Sequence, residues 1–234
     1  MKMTNPNILI VLTSHDTLGN TGLKTGFWLE EFASPYYVFK DAGANITLAS
    51  VSGGQPPIDP KSSEPDWQTD DTRRFESDEE SKAALANTKP LSSLDAGDYD
   101  AIFFPGGHGP MWDYPDNATL ANLIEAFDEE SKPIGAVCHG PVALVTAKSS
   151  DGRSIVAGKR VSAFTNTEET AVELQDVVPF LLEDRLEELG ATFVKGDDFT
   201  SHVVTDGNLV TGQNPQSSVA GAEALMDLLK NKAA

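Results

Sequence analysis

One cysteine in 234 residues rules out an intrachain disulfide. This suits a reducing compartment and turns Cys138 from a staple into a candidate nucleophile. Basic residues are also scarce: 17 Lys and Arg stand against 36 Asp and Glu, for a net charge of -19. A surface of that sign repels nucleic acid and anionic lipid, so neither is expected as a partner. Long apolar runs are missing as well. Ile8 to Leu12 is too short and too poorly flanked to be a signal peptide or a membrane span, and the rest of the chain offers nothing longer. A cytoplasmic protein is expected.

With 39% hydrophobic and 23% charged residues, the composition is that of an ordinary globular chain, long enough for one large core. A single domain over residues 1–234 is expected, with an irregular insertion at about 51–88. Short apolar runs alternate with helical stretches, the signature of a mostly parallel α/β sheet with helices on both faces. Strands are expected at Asn7 to Thr13, Asn45 to Ser50, Tyr99 to Pro105, Arg160 to Phe164, Thr192 to Lys195, Ser201 to Thr205 and Leu209 to Gly212, with Asp206-Gly207 as a hairpin turn. Helices are expected at Phe27 to Ala42 (interrupted by Pro35), Asp71 to Ala86, Asn117 to Asp128, Phe180 to Leu189 and Ser217 to Leu229.

The stretch from Lys132 to Ala147 reads as strand, sharp turn, helix, with Cys138 at the bend. Ala136-x-Cys138-x-Gly140 is a variant nucleophile elbow, whose small residues let strand and helix approach closely. Pro141 fits the first turn of the helix, whose dipole would favour a thiolate. A Cys138 pKa below the free value of about 8.5 is therefore expected, with oxidation to sulfinic acid as a consequence.

Gly106-Gly-His-Gly109 follows a buried strand at its carboxyl end, where open α/β sheets hold ligands, and could supply backbone donors to an oxyanion. Glu30 and Glu31 lie in the first helix, one expected to face solvent and the other the sheet edge. Glu168 and Glu169 open a later helix, where acids are also the default stabilising choice. Of the four histidines, His139 is tied to Cys138 by sequence, whereas His15, His108 and His202 read as incidental. Trp67, Trp112 and Tyr114 offer a weak apolar patch near the rim, the feature that a client-binding chaperone would need.

Four motifs in order carry a resemblance: Gly26-Phe-Trp-Leu-Glu-Glu-Phe-Ala-Ser-Pro35, Gly106-Gly-His-Gly-Pro-Met-Trp-Asp-Tyr-Pro115, Ala136-Val-Cys-His-Gly-Pro141 and Thr205-Asp-Gly-Asn-Leu-Val-Thr-Gly-Gln-Asn-Pro215. Together they resemble the ThiJ/PfpI superfamily over nearly the whole chain, and within it the glyoxalase III class, also described as heat-shock chaperones. The resemblance implies a flavodoxin-like three-layer sandwich with a nucleophile elbow. It also implies conversion of a small 2-oxoaldehyde, methylglyoxal, to D-lactate without glutathione, metal or organic cofactor, along with protein deglycase activity and a homodimer. By position it makes Cys138 the nucleophile, His139 its partner, Glu31 the acid near the thiol and Glu169 the triad acid, with Glu168 as a competitor. Gly107 and His139 would hold the oxyanion, and either His139 or Glu31 would be the base. A stress holdase, or a peptidase or amidase of the same superfamily, is the alternative.

Overall fold

The computed structural model describes residues 5–232. Strand β1 (Asn7–Leu12) is buried at every position after the first. Such a continuous apolar run is what a parallel strand covered on both faces requires. It pairs in parallel with β2 (Asn45–Ser50) on one side and β4 (Ala101–Phe104) on the other, and β2 pairs with the short β3 (Lys89–Pro90). Beyond β4 lie β5 (Ile134–Val137), β9 (Leu209–Gly212) and the edge strand β8 (Val203–Asp206), for an order of β3-β2-β1-β4-β5-β9-β8. The β8–β9 hairpin is the antiparallel pair, turning at Gly207 with φ +61° as its primed geometry demands.

Alternation along β1 builds the layers. Ile8, Ile10 and Leu12 join the core under α1 (Leu29–Asp41) and α8 (Ser218–Lys232), while Leu9 and Val11 join the core under α5 (Ala118–Glu129). The result is a flavodoxin-like three-layer sandwich with helices on both faces of a mostly parallel sheet.

The remaining elements depart from the sequence expectation at particular places. The helix expected over 71–86 is two helices, α2 (Asp70–Ser77) and α3 (Glu79–Ala86). Asp78 separates them, because its side chain accepts from the Ser81 N–H and starts a new helix. Pro35 does not interrupt α1, which runs through it with ten buried residues holding it in place. The strand expected over 160–164 shrinks to β6 (Arg160–Val161), which pairs with β7 (Thr192–Phe193) in a separate two-stranded sheet. Between these lie α6 (Asn166–Ala171) and α7 (Leu182–Glu188), and α4 (Pro110–Asp113) comes directly after the glycine loop. Among the described residues no helix is long and apolar enough to cross a membrane.

Candidate active site

The carboxyl ends of β1, β4, β5 and β9 converge on one edge of the sheet, and Cys138 is the first residue past β5. Its φ is +58°, left-handed backbone that costs a non-glycine residue on the order of 1–2 kcal/mol. Two backbone bonds hold it there: the Cys138 N–H donates to the Gly212 carbonyl at 2.9 Å, and its own carbonyl accepts from the Phe164 N–H at 2.9 Å. Gly140 completes the elbow, since a Cβ there would stand 2.2 Å from the Phe104 carbonyl oxygen. The chain then enters a 3-10 turn, Gly140–Leu144, rather than the expected α-helix.

One contact between sequence neighbours and two long-range hydrogen bonds arrange the groups around the sulfur. His139 places Nδ1 3.4 Å from Sγ and Nε2 2.7 Å from Glu169 Oε2. Glu31, fully buried, accepts from the Gly106 N–H at 2.7 Å through Oε2. Among the described residues its Oε1 has no hydrogen-bond partner, and the carboxyl lines the same cavity as the Cys138 thiol, near enough for each group to shift the pKa of the other. The start of α1 is fixed from both sides: Trp28 N–H donates to the Gly106 carbonyl at 3.0 Å, and Leu29 N–H donates to Ser62 Oγ at 3.1 Å. The latter bond satisfies an orphan donor of the helix from within the 51–88 segment. Gly107, at φ +91°, turns its N–H toward the sulfur, where it favours the anion.

Glu168 and Glu169 divide the work. Glu168 closes a capping box with Thr165, accepting from the Thr165 N–H at 3.0 Å while Thr165 Oγ1 accepts from the Glu168 N–H at 3.1 Å. Its other oxygen accepts from Phe199 N–H, Asn214 Nδ2 and Gln213 Nε2. Glu169, one residue on and about 100° around the helix, is left free to face His139.

His108 is the residue that sequence reasoning missed. Read as incidental, it instead sets Nε2 2.9 Å from Glu169 Oε1, and its ring lies 4.2 Å from that of His139. The signal was its place in the glycine loop that also supplies Gly107. His15 and His202 make no contact with Cys138: His15 stacks on Trp112, and His202 lies between β7 and β8. The rim patch is also revised, since Tyr114 is buried with its hydroxyl donating to the Val11 carbonyl, and Trp67 alone of the three borders the cavity.

Burial governs the protonation states. It would raise Glu169, but His139 and His108 outweigh it and hold the carboxyl well below its ordinary range. An ionised Glu169 only accepts, so both imidazoles present Nε2–H to it, and His139 Nδ1 is left with a lone pair facing the sulfur. Desolvation, aided by His108, keeps His139 below its ordinary value and hence neutral. Desolvation and the charge of Glu30 push Glu31 well above the carboxylate range. The expectation of a lowered thiol pKa is not met: burial and the neighbouring Glu31 push Cys138 up, and a five-residue 3-10 turn carries little dipole to oppose them. The resting site thus holds a thiol, a protonated Glu31 and a neutral His139. An oxidation-prone resting thiolate loses its support.

Neither acid of the Glu30-Glu31 pair faces solvent. Glu30 is 9% exposed, with Oε2 accepting from Ser218 Oγ at 2.8 Å, and desolvation raises its pKa to about 7. In the unfolded chain it titrates near 4.5, so between these values the native state binds the extra proton. Stability therefore falls as pH rises through that window. Glu30→Gln keeps an acceptor for Ser218 and removes the titration. It is expected to raise unfolding free energy at pH 8 by an amount on the order of 1–3 kcal/mol more than at pH 5. Urea unfolding at the two pH values measures this, and an identical effect at both would mean that the group does not titrate in the window.

His108, His139 and Glu169 also place three donor atoms within 4.8 Å of one another. The His108 and His139 Nε2 atoms are bound to Glu169 itself, which makes the cluster a hydrogen-bonded unit behind the thiol.

A mostly parallel sheet sandwiched by helices, with a cysteine in a left-handed turn at its carboxyl edge, defines a flavodoxin-like α/β protein with a nucleophile elbow. The chain belongs to the DJ-1/PfpI family, which matches residues 23–228. Glyoxalase 3 of Candida albicans is 34% identical over 228 residues, covering 92% of this chain and 95% of that protein. The glutathione-independent glyoxalase HSP31 of Saccharomyces cerevisiae is 30% identical over 242 residues, covering 98% and 100%. The crystal structure of glyoxalase III from Candida albicans superposes with a TM-score of 0.89 at 32% identity, covering 95% of this chain and 96% of that one.

Proposed function

We propose that this protein is a glutathione-independent glyoxalase that converts a small 2-oxoaldehyde such as methylglyoxal to the 2-hydroxy acid, D-lactate. The observation that carries the reading is the Cys138 thiol beside a His139 oriented by Glu169, with the buried Glu31 carboxyl lining the same cavity. Similarity to relatives named as glyoxalases supports it along almost the full chain.

In the proposed cycle the thiol proton passes to His139 Nδ1 as sulfur bonds to the aldehyde carbon. The aldehyde oxygen, steadied by the Gly107 and His139 amides, takes that proton back and completes the hemithioacetal. Glu31 then gives its proton to the ketone oxygen while its carboxylate removes the hydrogen from the former aldehyde carbon, leaving an enediol. Glu31 returns this hydrogen to the neighbouring carbon and collects the hydroxyl proton of the first. The aldehyde carbon is thereby oxidised to a thioester and the ketone carbon reduced to a carbinol. Water, deprotonated by His139, hydrolyses the thioester, and the thiol is restored. Every proton borrowed from Glu31 or His139 is returned, and no external electron acceptor enters.

Glutathione-free consumption of methylglyoxal with chirally pure D-lactate as product is the expected result. Release of racemic lactate, or a requirement for added glutathione, would refute the reading. The lone cysteine supports a reducing, cytoplasmic setting, and resemblance to the ThiJ/PfpI superfamily supports a homodimer, which sedimentation would detect.

A further inference from the structure

The cavity above Cys138 encloses about 410 Å³, whereas methylglyoxal has roughly five heavy atoms and drug-sized ligands occupy pockets of about 300–1,000 Å³. Most of this space is therefore not needed for the reacting carbons. Its outer walls are apolar: Trp28, Trp67, Phe164, Phe199, Val172 and Leu174. The aromatic groups are set against one another. Trp28 and Trp67 meet edge to face at 5.2 Å, Phe164 lies 4.6 Å from the His139 ring, and Phe199 approaches Phe164 at 6.2 Å.

Phe199 is held at 37% exposure on a backbone of φ +55°, with its N–H fixed on Glu168 Oε1 at 2.7 Å. A large aromatic residue in left-handed backbone is unfavourable, and here the loop is pinned so that the ring stays at the cavity mouth. The cations near the mouth are already engaged. Lys24 is paired with Asp16, and Lys61 lies over the Trp67 ring at 5.9 Å. The walls thus offer apolar and aromatic contact to a substituent, and little to an anionic one.

Resting on the glyoxalase reading, we propose that this outer compartment binds the substrate's substituent and that the preferred substrates are 2-oxoaldehydes carrying an apolar group of phenyl size or larger. The reacting carbons sit between Cys138 and Glu31, and the substituent projects outward between the Trp28–Trp67 pair and the Phe164–Phe199 pair. Burial of a phenyl ring among aromatic walls adds edge-to-face contacts to the transfer of apolar area from water.

The test compares kcat/KM for phenylglyoxal and methylglyoxal in the wild type, Trp67→Ala and Phe199→Ala. The wild type is expected to prefer phenylglyoxal by at least ~10-fold, within the range that apolar pocket contacts supply. Each variant is expected to lower the phenylglyoxal-to-methylglyoxal ratio at least ~5-fold, mainly through KM for phenylglyoxal. A wild-type ratio of one or below, or a ratio that neither variant moves, would overturn the proposal. Calorimetric titration with acetophenone, which lacks the aldehyde, separates the compartment from the chemistry. If neither aldehyde is turned over, the glyoxalase reading fails. Acetophenone binding that weakens in both variants would then still support the apolar compartment, and no binding would remove it.

Discussion

Cys138→Ala is expected to lower kcat/KM for methylglyoxal by at least ~10²-fold, with the fold intact by circular dichroism. The sulfur forms the bond that converts an aldehyde into a thioester, and the chain has no second cysteine to take its place. Nor can a neighbour substitute: Glu31 holds its proton, and His139 presents a single lone pair already committed to proton transfer. Alanine should be tolerated structurally, because the elbow is held by backbone bonds from Cys138 to Gly212 and Phe164 that do not involve the side chain. Intact-mass measurement during turnover gives a second readout. An adduct on the wild type that the variant lacks would identify the covalent intermediate, whereas turnover within tenfold of wild type in the folded variant would end the thiol mechanism.

The second large effect is expected from Glu31→Gln, again at least ~10²-fold in kcat. Glutamine retains an acceptor for the Gly106 N–H, so the carboxamide should sit where the carboxyl does, yet it cannot exchange protons with carbon or oxygen. Glu30→Gln, whose side chain turns to Ser218, should change activity far less. The pH profile adds a sign. As pH falls, activity declines where His139 gains a proton, below the ordinary histidine range because burial depresses it. As pH rises, activity declines where Glu31 loses its proton, well above the ordinary carboxylate range. In Glu31→Gln the alkaline limb assigned to this group should vanish while the acid limb stays. Equal losses in the two glutamine variants would show that the carboxyl lining the thiol's cavity is not the one that moves protons.

Periodicity and local spacing were enough to establish the alternating strands and helices, the elbow at Cys138, the hairpin after Asp206 and the ligand-facing edge of the sheet, because these features depend on residues close in the chain. Even the choice between Glu168 and Glu169 was locally written: Thr165-x-x-Glu168 is a capping-box spacing, which commits Glu168 to the helix start and leaves Glu169 to turn toward His139. The split at Asp78 and the short β6 escaped the periodic reading because a single cap, and pairing with a strand 32 residues away, decided them. The role of His108 and the place of Glu31 in the thiol's cavity depend on hydrogen bonds spanning 61 and 75 residues, which no local window contains. Only the assembled core decided the protonation states. Desolvation by the closed sandwich outweighed the favourable turn at Cys138, so a thiol that looks activated beside a helix start keeps its proton until a substrate arrives.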